Sequence, residues 1–305
     1  MLGGPTATGK TALSVELAKA FGGEVISADS MQLYRGLDVG TAKVRPEEMQ
    51  GVPHHMLDIL SPEESFSVAD FVAHADQLIR DICQRGGLPV VVGGTGLYLS
   101  SLQNGIQFAP QKPQPQLRQQ LEQELEEKGA DVMYQELCQI DPEAAASIHP
   151  NNHHRVIRAL EVYRATGQTL SQQKAQSLPQ EPPYDALLLY LDFPQREQLY
   201  RRIDLRVDHM MEQGLLEEAR MVYRERERYK TAAQAIGYKE MFPYFEGTAP
   251  LEECVEKLKQ ASRNYAKRQQ TWFKRMENAV FLDASALNST QNAKDQVRQH
   301  WPDLL

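Results

Sequence analysis

One sequence feature restricts the fold of this chain more than any other: residues 4–11 read GPTATGKT and lead directly into a helical pattern of apolar residues. They satisfy G-x-x-x-x-G-K-[ST], in which backbone N–H groups and the helix N-terminus favour an anion, Lys10 adds positive charge and the Thr11 hydroxyl can bind Mg²⁺. A glycine-rich turn that only begins a helix is the alternative, but it leaves the lysine and threonine unexplained. The pattern predicts a phosphate-binding loop formed by Gly4, Pro5, Thr6, Ala7, Thr8, Gly9, Lys10 and Thr11.

A loop of this kind follows a buried strand, and only Met1, Leu2 and Gly3 precede it. We therefore expect a very short first strand, and a chain whose start is truncated or misassigned. Elsewhere, short runs rich in β-forming residues alternate with helical patterns, which indicates βαβ units and a parallel sheet. The predicted strands are residues 24–28, 88–92, 186–192 and 279–282; the predicted helices are 11–21, 68–84, 196–213 and 251–275, with a final surface helix within 288–305.

Two proline clusters interrupt this alternation, because proline breaks helices and central strands. They are Pro110, Pro113 and Pro115, and then Pro179, Pro182 and Pro183. Between them every pattern is helical, over residues 117–128, 131–139, 142–148, 151–166 and 170–175. We expect an α/β fold with a P-loop kinase-like parallel sheet core, built from residues 1–109 and 184–305, and an all-helical insertion domain of residues 110–183.

Composition excludes several classes of protein. The 305 residues are 41% hydrophobic and 24% charged, which is ordinary for a folded globular chain. The longest apolar run, residues 186–191, is far shorter than the roughly 20 residues that cross a bilayer. Without a signal-like opening segment and with three widely spaced cysteines, the chain is expected to be cytoplasmic, with no membrane partner. Because the net charge is −8, a nucleic acid has to be held by local basic patches.

The ends of the predicted strands indicate the chemistry, because strand C-termini in open α/β sheets face the ligand crevice. Residues 88–92 end in Gly93-Gly94-Thr95-Gly96, which suits close approach of a ligand to the backbone rather than the metal-binding aspartate of an NTPase. Asp29 is expected to be the only carboxylate immediately beyond a strand near the loop, so it is a candidate general base. A turn or N-cap role is the alternative.

Arg202 and Arg206 flank the apolar stripe of residues 196–213, one turn apart. They could clamp a leaving diphosphate, or they could form salt bridges with Asp204 or Asp208.

Residues 257–275 contain seven cations and no Asp or Glu, and Lys259, Arg263 and Lys267 recur on one helix face. This stripe could follow phosphates, or it could be an ordinary solvated face. Tyr265 and Trp272 could stack on bases or pack into the core.

Seven motifs together resemble those of the bacterial tRNA dimethylallyltransferases, also called tRNA isopentenyltransferases, of the IPP transferase family. The motifs are residues 4–11 (GPTATGKT), 26–43 (ISADSMQLYRGLDVGTAK), 51–55 (GVPHH), 93–98 (GGTGLY), 155–161 (RVIRALE), 235–240 (AIGYKE) and 265–273 (YAKRQQTWF). The resemblance implies transfer of a dimethylallyl group from dimethylallyl diphosphate to N6 of adenosine 37, beside the anticodon of tRNAs that read codons beginning with U. The family uses Mg²⁺ and no ATP, and the products are N6-(dimethylallyl)adenosine and diphosphate.

The resemblance also implies roles for individual residues and partners. Asp29 would be the base, Lys10, Thr11 and Arg202 would assist catalysis, Thr11 would be a metal ligand, and residues 4–11 would bind the diphosphate. The implied tRNA contacts are Asp29, Ser30, Met31, Gln32 and Thr95, and, in the insertion domain, Arg118, His154, Arg155, Val156, Ile157 and Arg158. The partner would be the anticodon stem-loop, bound by a monomer. No C-x-x-C occurs, so zinc is not expected, and His54 and His55 are expected to be structural.

The chemistry of this transfer fits the residues. An adenine amino group is a poor nucleophile, so it needs a carboxylate that accepts its proton and a stabilised leaving group. An adenine also leaves its stack most easily from a single-stranded loop. Two other interpretations stay open on the residues alone: a P-loop kinase in which Asp29 activates a small-molecule hydroxyl, and a non-catalytic tRNA or nucleotide sensor.

Overall fold

A computed structural model of the chain describes residues 1–108 and 114–304. The chain divides into a sheet unit, Met1–Gln103 with Tyr184–Leu305, and a helical unit, Asn104–Pro183. The boundary predicted between residues 109 and 110, together with Pro110 and Pro113, lies outside the described residues.

The sheet unit is built on six parallel strands in the order β3-β2-β4-β1-β5-β6. The strands are β1 Leu2–Gly3, β2 Glu24–Ser27, β3 His54–His55, β4 Pro89–Gly93, β5 Leu188–Asp192 and β6 Ala279–Asp283. The predicted α/β class with a parallel sheet is therefore confirmed. β1 has only two residues, yet it pairs with both β4 and β5, so the loop that follows it starts in the middle of the row of strand ends.

Helices cover both faces of the sheet, as a parallel sheet requires. The helices of the sheet unit are α1 Lys10–Ala20, α2 Pro46–Met49, α3 Val68–Gln84 and α4 Gly96–Gln103, and then α10 Arg196–Glu212, α11 Leu215–Arg224, α12 Phe242–Phe245, α13 Leu251–Phe273 and α14 Ser289–His300. Successive strand residues point to opposite faces: Ile26 packs with residues of α3 and α4, whereas Val25 packs with α1.

The helical unit contains α5 Pro115–Lys128, α6 Ala130–Ile140, α7 Pro142–Ser147, α8 His153–Thr166 and α9 Leu170–Ser177. Its core is formed by apolar residues at helical spacing, with Leu121, Leu137 and Leu160 almost fully buried. α8 begins two residues later than predicted because Asn152 is its N-cap, accepting from the Arg155 N–H at 3.3 Å.

The predicted strands and helices are observed with ends that shift by one or two residues, apart from the last helix. Five of the elements given above were not predicted, namely the short helices α2 and α12 and the elements β3, α4 and α11. β3 consists of two histidines and gives no apolar signal, α4 follows a glycine-rich run, and α11 follows Gly214, whose φ of 98° separates it from α10. The final helix, α14, is not only a surface element, since Ala293 and Val297 are buried.

Candidate active site

The predicted phosphate loop connects β1 to α1. Gly4 has a φ of 147°, and a Cβ there would lie 2.2 Å from the carbonyl oxygen of Leu191. Gly9 has a φ of 94° and directly precedes the helix. The loop wraps around its own lysine: Lys10 Nζ donates to the Pro5 carbonyl at 2.5 Å, and Thr8 Oγ1 donates to the same oxygen at 2.9 Å. Within the loop, Gly4, Pro5 and Thr8 are buried, and the remaining loop residues border a cavity.

This cavity has a volume of about 760 Å³ and lies at the strand ends. It brings together Lys10, Thr11, Asp29, Gln32 and Arg202, five of the predicted site residues. Arg206, predicted with Arg202 as a possible diphosphate clamp, and Tyr265, predicted as a possible stacking residue, also border the cavity, and so does Gln269, for which the sequence predicted no role.

The charges that border the cavity favour the binding of an anion. Burial, followed by the positive charge of Arg206, lowers the pKa of Lys10 from 10.5 to about 7, against the opposing effect of Asp29 and Asp192. Burial also lowers the pKa of Arg206, and again Asp29 opposes it. Cations that lose hydration without gaining a full set of partners are stabilised by an added negative group. A diphosphate supplies such a group.

Arg202 lies over the loop rather than in a salt bridge. Its Nε donates to the Ala7 carbonyl at 2.8 Å, and its guanidinium lies 5.5 Å from the ring centre of Phe193. The alternative of salt bridges to Asp204 or Asp208 is wrong, because those carboxylates pair with Arg263 and Lys259 instead.

Asp29 follows β2 after one residue, Ala28, and forms a turn with one of its two carboxylate oxygens. Oδ1 accepts from the Met31 N–H at 2.9 Å, and the Ser30 N–H donates to Thr95 Oγ1 at 3.2 Å. Within residues 1–108 and 114–304, no hydrogen bond to Oδ2 is observed. The turn role and the candidate base role are therefore compatible, since one oxygen shapes the backbone and the other is available. Gln32 is held nearby, accepting from Ser27 Oγ at 3.1 Å.

A second cavity, of about 340 Å³, shares Thr6, Asp29, Arg206 and Tyr265 with the first. Asp29 therefore borders both cavities. The second cavity is otherwise lined by Ser30 and Met31, by apolar residues that include Ile203, Val207, Met210, Ile236 and Leu258, and by the cations Lys239 and Arg268. Burial raises the pKa of Tyr265 to about 12, so the phenol between the cavities stays neutral at ordinary pH.

Two adjacent glutamines of α13 fasten the strand ends together. Gln269 is 5% exposed; it accepts from the Thr6 N–H at 3.0 Å and donates to the Gly94 carbonyl at 2.9 Å. Gln270 donates to both carboxylate oxygens of Asp192, at 3.1 and 2.8 Å. One pattern could have indicated Gln269: it shares a helix face with the buried Ala266 and Phe273, and a polar side chain on a core face needs partners.

Asp192 corrects the expectation that Asp29 is the only carboxylate just beyond a strand near the loop. It ends β5, the strand next to β1, and is 2% exposed. It also accepts from the Phe193 N–H at 2.8 Å and from the Tyr190 hydroxyl at 2.5 Å. These donors satisfy the carboxylate, and its charge still favours the protonated form of Lys10.

The predicted tRNA-contact residues of the helical unit fall into two groups. The side chains of Val156 and Ile157 are 2% and 3% exposed and pack in the core of the unit, and contact of these two residues with tRNA stays a prediction. His154 and Arg155 are exposed at the start of α8. Arg118 pairs with Glu122 at 2.7 Å, and Arg158 pairs with Glu161 at 2.8 Å.

The stripe predicted on α13 is also corrected. Lys259 pairs with Asp208 at 2.7 Å and Arg263 with Asp204 at 2.5 Å, both acids of α10, so two of its three cations are already neutralised. The periodicity along one helix could not reveal carboxylates supplied by another.

His54 and His55 both make contacts within the fold. His54 Nδ1 lies 2.9 Å from the Val52 carbonyl, and His55 Nε2 lies 2.6 Å from Glu24 Oε2. In the part of the chain that the structure describes, no cluster of three His, Cys, Asp or Glu side chains could hold a metal, and no helix is long and apolar enough to span a membrane.

Comparison with known proteins relates this geometry to a family. A family model described as IPP transferase matches residues 32–276. The tRNA dimethylallyltransferase of Bacillus subtilis (strain 168) is 46% identical over 300 residues, covering 98% of this chain and 95% of that protein. That of Anoxybacillus flavithermus is 50% identical over 284 residues, or 92% of this chain and 88% of that protein.

Two solved structures are similar over nearly the whole chain. The full-length tRNA isopentenylpyrophosphate transferase from Bacillus halodurans has a TM-score of 0.73 at 44% identity, covering 98% of this chain and 95% of that one. A eukaryotic dimethylallyltransferase acting on tRNA has a TM-score of 0.81 at 34% identity, covering 97% and 76%. The motifs, the cavity they form and these similarities lead to one conclusion: the chain belongs to the IPP transferase family.

Proposed function

We propose that this enzyme transfers a dimethylallyl group from dimethylallyl diphosphate to N6 of adenosine 37 in the anticodon loop of tRNA. The observation that carries the proposal is a single cavity bordered by a phosphate loop, three cations and a carboxylate with one oxygen available. The relatives named tRNA dimethylallyltransferase support the same reaction. We expect the chain to act as a monomer in the cytoplasm.

The loop and its cations would serve the leaving group. As the bond between the allylic carbon and oxygen breaks, negative charge collects on the diphosphate. Lys10, Arg202 and Arg206 border the cavity where that charge would develop, and the loop residues Thr6, Ala7 and Gly9 border the same space. The residues also fit Mg²⁺, which in proteins commonly keeps waters and phosphate oxygens and takes only one or two protein ligands; Thr11 would be one. When bound, the ion neutralises charge on the diphosphate.

Asp29 would serve the nucleophile. The N6 lone pair forms the new bond to the allylic carbon, and the proton that N6 loses passes to the Asp29 carboxylate. Asp29 borders both cavities, so the diphosphate could occupy the first and the flipped adenine could approach through the second. Ser30, Met31, Gln32 and Thr95 belong to the turn and strand end that hold Asp29, and we assign them to the target nucleotide.

The helical unit would hold the anticodon arm. Its exposed Arg155, together with Arg158 and Arg118, would offer positive charge to RNA phosphates and the exposed His154 a ring nitrogen, while Val156 and Ile157 maintain the helix that carries three of these residues.

One assay tests the reaction. The protein is incubated with dimethylallyl diphosphate, Mg²⁺ and unmodified tRNA, and nucleosides are analysed by mass spectrometry. We expect N6-(dimethylallyl)adenosine at position 37 without ATP. ATP-dependent phosphorylation of a metabolite would instead identify a kinase, and tRNA binding without either product would identify a sensor.

A further inference from the structure

The carboxylate of Glu218 holds three successive N–H groups of a loop that is distant in the chain. Glu218 is a partly buried residue of α11. Its Oε2 atom accepts from the Asp38 N–H at 2.8 Å and from the Val39 N–H at 2.9 Å. Its Oε1 atom accepts from the Gly40 N–H at 2.7 Å and from the Tyr238 hydroxyl at 2.8 Å. Each oxygen therefore has one donor for each of its two lone pairs.

The three N–H groups belong to residues 37–43, a loop that also closes on itself. Thr41 Oγ1 donates to the Leu37 carbonyl at 2.6 Å, and the Lys43 N–H donates to the Asp38 carbonyl at 2.9 Å. Successive N–H groups that converge on one point form a concave anion site. Here the anion is a side chain that lies 178 to 180 residues further along the chain. The position of the 37–43 loop is therefore set by a carboxylate of another element.

The 37–43 loop borders both cavities. Gly40 and Thr41 line the second cavity, and Ala42 lines the first. The loop also orients a side chain of the first cavity, because Gln32 Nε2 donates to the carbonyls of Thr41 and Ala42 at 3.3 and 3.5 Å. Glu218 is not among the residues that border either cavity. Any effect of Glu218 on the site therefore has to pass through the loop.

Packing fixes the loop from the side of the phenol. Tyr238 is fully buried, and a Cβ at Gly40 would lie 2.5 Å from its Cε1 atom, so the loop can approach the ring only as glycine. Burial, followed by the charge of Glu218, raises the pKa of Tyr238, so the hydroxyl remains a donor. Two motifs of the sequence, residues 26–43 and 235–240, thus meet at the Glu218 carboxylate.

We propose that Glu218 is a positioning residue for prenyl transfer, whose carboxylate fixes the 37–43 loop as a wall of the second cavity. This inference rests on the proposed function, in which the target adenine approaches through that cavity. A displaced wall would misplace N6 relative to Asp29 and the allylic carbon, and small misplacements slow the chemical step. The phosphate loop makes none of these contacts, so its handling of the diphosphate would not change.

Kinetics of Glu218→Gln test the proposal, because the substitution keeps the length of the side chain. Its NH₂ group replaces one oxygen, so at least one N–H of the loop loses its acceptor. We expect kcat for prenyl transfer at saturating tRNA to fall about tenfold. The KM for dimethylallyl diphosphate and the affinity for tRNA in filter binding should change by less than about twofold.

Two control variants separate the loop contacts from other changes at α11. Glu217→Gln makes the same chemical change at the exposed neighbouring residue and should keep the wild-type kcat. Tyr238→Phe removes one donor from Glu218 but leaves the three loop N–H groups bound, so kcat should stay within about twofold of wild type. A kcat for Glu218→Gln equal to that of Glu217→Gln would overturn the positioning role and leave the proposed function standing.

Hydrogen exchange tests the loop without any activity measurement. Mass spectrometry of peptides that cover residues 37–43 should show faster exchange in Glu218→Gln than in wild type, Glu217→Gln or Tyr238→Phe. Unchanged exchange in Glu218→Gln would overturn the inference. If wild type binds tRNA without prenylating it, the proposed function fails, and this exchange comparison still decides whether Glu218 holds the loop.

Gly40→Ala displaces the same loop with Glu218 intact, and it replaces Glu218→Gln as the test if that variant does not fold. Its methyl group would meet the Tyr238 ring. We expect kcat to fall about tenfold, with the KM for dimethylallyl diphosphate unchanged. Wild-type kcat in Gly40→Ala would show that transfer does not depend on the position of the loop, which would overturn the proposal.

Discussion

Cations in the active-site cavity and cations in the helical unit differ in how their charge is balanced. In the cavity, burial lowers the pKa of Lys10 to about 7 and also lowers that of Arg206. In the helical unit, the hydrogen bonds that Arg164 donates to Glu124 raise the pKa of Arg164, and Arg164 with Lys128 lowers the pKa of Glu124 to about 2. Among the described residues, no ion pair holds Lys10, Arg202 or Arg206, whereas Arg164 and Lys128 pair with glutamates.

A cation that has no carboxylate partner within the fold keeps its charge available to a ligand, whereas a paired cation does not. Arg164 donates to Glu124 at 2.6 and 3.0 Å and to Glu136 at 2.9 Å, so its charge is used inside the fold. Lys10 donates only to a loop carbonyl among the contacts of the described residues, and Arg202 likewise donates to a carbonyl. A carbonyl does not neutralise a cation. The cavity therefore keeps positive charge that the proposed diphosphate would balance, at some cost in folding stability.

The largest effect on activity is expected from replacing Asp29, the candidate base. Asp29→Asn preserves an acceptor for the Met31 N–H but not the proton acceptor, so we expect kcat for prenyl transfer to fall by about 10² to 10⁴. Affinity for tRNA should change little. Single-turnover transfer and filter binding measure the two quantities, and normal turnover in this variant would exclude Asp29 as the base.

The comparison itself is tested by one substitution in each region. Lys10→Met should lower kcat/KM for dimethylallyl diphosphate by about 100-fold without loss of stability, because the buried cation is destabilising before ligand binds. Arg164→Met should leave transfer unchanged and lower the free energy of unfolding by about 1–2 kcal/mol. Steady-state kinetics and urea denaturation provide both numbers. Loss of stability in Lys10→Met with normal transfer, together with loss of transfer in Arg164→Met with normal stability, would contradict the difference between the two regions.

Protonation of Lys10 predicts a pH dependence. Below about pH 7 the lysine is charged and binds the diphosphate; above it, kcat/KM for dimethylallyl diphosphate should fall by about tenfold per pH unit. Stability should move the opposite way. Between about pH 7 and 10.5 the unfolded chain holds a proton that the folded chain has lost, so the lysine's destabilising effect declines as pH rises. The same pH series on Lys10→Met should lack the limb near pH 7.

Gln269→Leu should raise the KM for dimethylallyl diphosphate by about tenfold, because it removes the bonds that fix the Thr6 N–H and the Gly94 carbonyl. The matched control on the exposed side of α13, Gln260→Leu, should leave that KM unchanged. Equal KM values in both variants, with both folded by circular dichroism, would mean that Gln269 does not position the loop.

The smallest effect is expected from the helical unit. Arg155→Gln/Arg158→Gln should weaken tRNA binding by a few-fold and lower the salt slope by about 0.7 to 0.9 per lost phosphate contact, with dimethylallyl diphosphate binding unaffected. Lys128→Gln/Lys174→Gln is the control in the same unit. Superimposable salt curves for the two variants would reduce α8 to a scaffold.

Sequence alone was sufficient for features that depend on local pattern. The phosphate loop, the parallel sheet and the helical character of the residues between the proline clusters all follow from spacing and residue type. It also placed Asp29 and Arg202 beside the loop, because strand ends and a helix flank are defined by periodicity.

Features that depend on partners distant in the chain could not be predicted. Thr6 meets Gln269 across 263 residues, and Arg263 meets Asp204 across 59. Asp192 was overlooked because its donors, Tyr190 and Gln270, become visible only in three dimensions. Val156 and Ile157 were assigned to RNA as members of a motif, although apolar residues within a helix more often mark its buried face.

The proposed role of Lys10, Arg202 and Arg206, the cavity cations for which no ion pair is observed among the described residues, is to stabilise a diphosphate leaving group. Its most direct test is the stoichiometry of prenyl transfer, measured as inorganic diphosphate released per modified adenosine in the absence of ATP. We expect the wild-type protein to release one diphosphate for each N6-(dimethylallyl)adenosine formed. In Lys10→Met we expect the rates of formation of both products to fall by the same factor. Modified adenosine that forms only with ATP hydrolysis, or diphosphate release that Lys10→Met leaves at the wild-type rate, would contradict it.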